Sequence, residues 1–169
     1  MAQRQKKVLY HVIDRSDHSY IYEIMDALVA AHHSHLAGAR IAIAWRFGQK
    51  PDKDGHLELG KCKKASDLNR DLHQYNFVIL LNFEAWNGMS GDQRRALMDH
   101  ELSHAETVKQ SDGEDAEDEG GRTVYRIRKH DIEEFREVIA RHGLYKRDLE
   151  DFAKMILEAR EKPLLQATE

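Results

Sequence analysis

With 169 residues, 41% hydrophobic and 33% charged, the chain has material for one packed domain and too little length for two comfortable ones. A net charge of −4 excludes a general attraction to nucleic acid or to an anionic membrane surface. A single cysteine excludes an internal disulfide and every zinc site that needs two thiolates.

The first residues, Met1 to Lys7, are basic, but no apolar signal region or cleavage site follows them. No apolar run approaches the roughly 18 residues of a membrane span. The expectation is a protein that is not exported, and one cysteine suits a reducing cytoplasm.

From Tyr20 to Leu36, Ile21, Ile24, Met25, Leu28 and Val29 recur at helical spacing, with Gly38 as a stop. Ile41 to Phe47 alternates with period two and predicts a half-buried strand. The polar stretch 48–76 is expected to be a long connection with one irregular strand or turn. Residues Asn76 to Phe83, apolar almost throughout, predict an internal strand, and Glu84 to Met89 a turn.

Ser90 opens the most informative helix. Ser90 and Gln93 fit a capping box, and Asp92 sets negative charge against the positive end of the helix dipole. Ala96, Leu97, Met98, Leu102, Ala105 and Val108 then supply a broad apolar face. The acidic, glycine-containing stretch 110–122 predicts a flexible solvated loop, one that would gate the site or bias it toward basic substrates. Thr123 to Arg128 predicts a short strand. Asp131 is placed to cap a helix through Ile132, Phe135, Val138 and Ile139 to Gly143, and a last amphipathic helix carries Leu149, Phe152, Ile156 and Leu157. The expected fold is α+β: a single domain over residues 1–169, its core at about 20–160, with helices packed on a small mixed sheet.

Within the Ser90 helix lies His100-Glu101-Leu102-Ser103-His104. Histidines four apart project from one helical face, which is the convergence a tetrahedral zinc ion requires. Glu101 is placed to act as general base toward an attacking water. A catalytic zinc takes three protein ligands. The metzincin continuation is absent, because Thr107 and Gln110 stand where its glycine and histidine would be. His130 leads for the third ligand, with Glu133 or Glu134 as the alternative. His142, at a helix end, is explained by the dipole. His32, His33 and His35 are expected at the surface, with a second metal site there the lesser reading. Asp99 is a candidate to orient a ligand, or an exposed helix carboxylate. Tyr125 is expected in packing rather than at an oxyanion, and Cys62 among its lysines as incidental.

The run VILLNFEAW, then ALMDHELSHAE, then RKHDIEEFREVIARHGLY, resembles the putative phage metallopeptidase family, HExxH zincins related in outline to the SprT-like proteins. The resemblance covers about Ile41 to Tyr145. It implies a minimal zincin fold, a bound Zn2+ held by His100, His104 and His130, and Glu101 as the catalytic residue. A cytoplasmic setting, in a bacterium or a phage-infected host cell, goes with it. The substrate expected is a peptide or protein, with no membrane partner and no strong nucleic-acid signal; the oligomeric state stays open. The zinc ribbon of SprT-like proteins is missing. Two rivals stand beside this reading: hydrolysis of a non-peptide amide, and a zinc-binding regulatory module without protease activity.

Overall fold

The alternating run predicted over 41–47 is a strand, β2 (Ile41–Phe47), whose Ile41, Ile43 and Trp45 face the core. Its other face is also covered: Ala42, Ala44 and Arg46 are buried too, so it is not the half-buried strand that its alternation predicts. The structure is a computed structural model and describes residues 9–17, 19–133 and 135–160. The chain divides into two compact units, Met1–Arg128 and Lys129–Glu169. Helices combine with two sheets, the α+β class expected.

In the first unit, strand β1 (Leu9–Val12) leads to helix α1 (Ser19–His32), followed by a tight 3-10 turn at Ser34–Leu36 and then β2. The connection expected over 48–76 holds strand β3 (Gly60–Lys64) and helix α2 (Asp67–His73). Strand β4 (Phe77–Asn82) is followed by a short helix α3 (Phe83–Asn87), where a turn was expected. That helix forms because the Asn82 side chain caps it, accepting from the Ala85 N–H at 3.0 Å. Helix α4 (Gly91–Ser103) and the strands β5 (Ala105–Thr107) and β6 (Tyr125–Ile127) complete the unit.

Among the described residues, the larger sheet has the order β1-β2-β4-β3. β4 runs parallel to β2 and antiparallel to β3, with Ile43 opposite Ile79 and Cys62 opposite Ile79 on the other side. β4 is therefore internal, as its apolar run requires, and β1 and β3 are the edges. An extended substrate held by backbone pairing could not use β4, because both of its sides are taken. Ile21, Met25 and Leu28 of α1 pack with Met98 and Leu102 of α4 against Ile43, Phe77, Ile79 and Leu81. The buried Tyr22 hydroxyl donates to the Ile13 carbonyl at 3.0 Å and accepts from the Ile43 N–H at 3.2 Å, so no polar atom there is orphaned.

The acidic stretch folds back on itself. Isolated bridges join Lys109 to Asp115 and Glu117 to Thr123, and Gln110 and Gly113 close one turn. The second turn is built by Asp118, whose Oδ1 accepts from the Gly120 and Arg122 amides and whose Oδ2 pairs with both Arg122 and Arg70 of α2. The charge that predicts solvation is here partly spent on ion pairs.

The second unit holds helix α5 (Arg136–His142), ending at Gly143 with φ +67°, and helix α6 (Arg147–Arg160). The helix expected to start at Asp131 begins later: its N-cap is Phe135, and no side chain caps it. In α6, Leu149 is buried while Phe152, Ile156 and Leu157 are exposed.

Candidate metal centre

Helix α4 starts where Ser90 says it should. The Ser90 hydroxyl accepts from the Gln93 N–H at 3.3 Å, and the Gln93 side chain accepts from the Ser90 N–H at 2.9 Å. It ends earlier than its apolar pattern predicts. His104 is the C-cap, and Ala105 and Thr107, expected on the helix, belong to β5. Pairing overrides periodicity here: the Arg128 N–H donates to the His104 carbonyl and the Val108 N–H to the Val124 carbonyl, both at 2.8 Å.

His100 and His104 present rings 5.0 Å apart, edge to face. His104 Nδ1 lies 2.7 Å from the Arg128 carbonyl oxygen. A carbonyl only accepts, so Nδ1 carries the proton and donates, and in the neutral ring Nε2 holds the lone pair a metal needs. Arg128 contributes this through its backbone, so nothing in its side-chain identity announces it. Candidate ligand atoms of His100, His104 and His130 all lie within 4.8 Å of one another, and the three could hold a metal ion. His130 sits in an irregular stretch between β6 and α5, not at the capped helix start expected for it. Glu133 is not in that group, and Glu134 lies outside the described residues.

Glu101 is only 3% exposed. Its carboxylate rests against β3, where the Cys62 N–H donates to it. Burial holds this carboxyl above the usual Glu range, against the opposing pull of His104 and that amide. The space for it exists because residue 60 is glycine: a Cβ there would stand 2.5 Å from Glu101 Oε1 and 2.9 Å from its Cδ. An all-imidazole donor set suits zinc and its neighbours among the divalent ions. A buried carboxylate beside it, held by an amide, is then available for proton transfer. The residues fit a catalytic metal.

Around this centre several expectations change. His33 is buried, 7% exposed, and its Nε2 lies 2.6 Å from Asp99 Oδ1. His35 Nε2 lies 3.1 Å from the Ala105 carbonyl oxygen. These histidines anchor the end of α1 to α4 and β5, and only His32 of the cluster is exposed as expected. Asp99 thus holds α4 in place through His33. Tyr125 packs edge to face on Phe77 at 5.2 Å. Burial pushes the Cys62 thiol up to about 12, the charge of Glu101 adding to it, so the nearby lysines do not activate it.

No helix among the described residues is long and apolar enough to cross a membrane. No match was found among curated proteins or among solved structures. The model of one family, described as putative phage metallopeptidase, matches residues 13–159, a span that takes in α1, the larger sheet from β2 onward, α4 and the candidate centre. The family implies a metal ion, and three histidines could hold it. By the extent of that match, the chain belongs to the putative phage metallopeptidase family.

Proposed function

We propose that this chain is a zinc-dependent peptidase in which His100, His104 and His130 hold the metal and Glu101 moves the proton. The observation that carries the proposal is Glu101: a carboxylate buried one residue from His100 and seated on a strand amide. A metal site that only staples a fold has no use for such a group, and burying it costs free energy. When bound, zinc supplies a Lewis acid that withdraws charge from the reacting oxygens.

The rest is done by the chain. The Arg128 carbonyl keeps His104 in one tautomer and one orientation. Glu101 takes a proton from the attacking water and returns it to the departing amine; its raised basicity fits it for both halves of that transfer. The Cys62 amide keeps the carboxylate from swinging away. A peptide or protein substrate met in the cytoplasm belongs to the same proposal.

The full chain, loaded with zinc, is assayed by mass spectrometry against a mixed peptide library. Wild type is expected to cut. Glu101→Gln is expected to lose about 10²–10⁴-fold in rate while keeping its metal, and His100→Ala to lose the metal. Stoichiometric zinc with no peptide cut across the library would sink the peptidase reading, and unchanged metal content in His100→Ala would sink the site.

A further inference from the structure

Gly60 stands in the middle of no turn. Its φ is not in the left-handed region, and it pairs with Leu81 as an ordinary residue of β3. Glycine weakens a strand, and nothing in this backbone calls for one. What the position does have is a neighbour. A Cβ built on Gly60 would fall 2.5 Å from Oε1, 2.9 Å from Cδ and 3.0 Å from Cγ of Glu101, and the first two are closer than non-bonded atoms approach. Two residues on along the same strand, the Cys62 N–H donates to that same carboxylate.

We propose that Gly60 is the positioning residue for the Glu101 carboxylate: its missing side chain makes the seat, and the Cys62 amide closes it. The proposal rests on the peptidase reading for its use, since Glu101 is the proton carrier there. The atoms that must yield to a methyl group at 60 belong to the Glu101 side chain, not to backbone, so Gly60→Ala is expected to leave the fold intact and displace the carboxylate. His100 and His104 are not among the atoms a Cβ at 60 would meet most closely, so metal content should hold.

The chain offers its own probe, because Cys62 is its only cysteine and ¹⁵N-cysteine labelling gives one amide peak. In the full-length wild type that amide is expected to exchange slowly with solvent. Gly60→Ala should move the peak and speed exchange about tenfold, as loss of a hydrogen bond to a charged group implies. Glu101→Ala should do the same, and Gly60→Ala added to Glu101→Ala should change nothing further. An unmoved peak in Gly60→Ala overturns the proposal, as does an equal shift in both backgrounds. If Gly60→Ala alone fails to fold, the double variant folding again shows the same contact.

With zinc bound, Gly60→Ala should lower kcat about 100-fold with KM unchanged, the cost expected for a reacting group misplaced by about 1 Å. Should wild type cut no peptide while the peak obeys this pattern, the seat stands and the peptidase reading alone falls.

Discussion

Cys62 shows how one burial acts on two ionisable groups at once. Its thiol sits in the core and its amide serves Glu101. Because the folded thiol ionises only at about 12 against an ordinary value of 9.0, the native state gains nothing from thiolate while the unfolded state does. Below about pH 8 the thiol has no effect on stability; as pH rises from there toward 12, native stability falls. Urea midpoints measured at about pH 7, 9 and 10.5 are expected to decline more steeply in wild type than in Cys62→Ala, and iodoacetamide to label Cys62 in urea but not in the native protein. At this scale the legible part of the site was the part written in spacing. His100, Glu101 and His104 declare themselves in five residues. Gly60, the Cys62 amide and the Arg128 carbonyl do not, because a missing side chain and two backbone groups leave no mark in residue type. His33 and Asp99 failed for another reason: they are 66 residues apart, and nothing local pairs them.

Elements were readable where side chains carry the signal. The Ser90 capping box located the start of α4, and Ser90→Ala is expected to cost about 1 kcal/mol, a fall of about 2–4 °C in Tm by calorimetry. The end of α4 was not readable, since Ala105 to Val108 keeps a helical pattern while partner strands claim it. β1 was missed, and β3 was read only as one irregular strand or turn in a long connection, because each is a short edge strand: β1 exposes all four residues, and β3 buries only Cys62. An edge strand with one covered face and few inward residues carries almost no period-two signal. The tie between α1 and α4 is testable at this level. His33→Ala removes a buried ring and a 2.6 Å partner of Asp99, and about 2–3 kcal/mol of stability should go with it, read as a lowered urea midpoint.

For the whole molecule, α+β architecture followed from the succession of periods, whereas the division at Arg128 has no composition break to announce it. Within the first unit, the amides of Ile79 and Leu81, both fully buried on the internal strand, are expected to exchange slowest, and those of 111–114 fastest. A metal that binds only the folded chain adds stability by mass action. Chelation from a metal concentration 100 times the Kd should therefore remove about 2.7 kcal/mol, seen as a lower Tm that free metal restores.

The seat of Glu101 also sets an order of events. His100 and His104 are one helical turn apart and meet as soon as that turn forms, a fast local step. Glu101 finds its place only after β3 has paired with β4 and α4 has met that strand, a contact between residues roughly forty apart (Gly60 and Glu101) that must first overcome the entropy of closing that loop. On the proposed function, two of the three metal ligands are thus set early and the proton carrier late. The chain is then expected to acquire its chemistry only once that sheet is closed, so a partly folded copy cuts nothing, its own unfinished strands included.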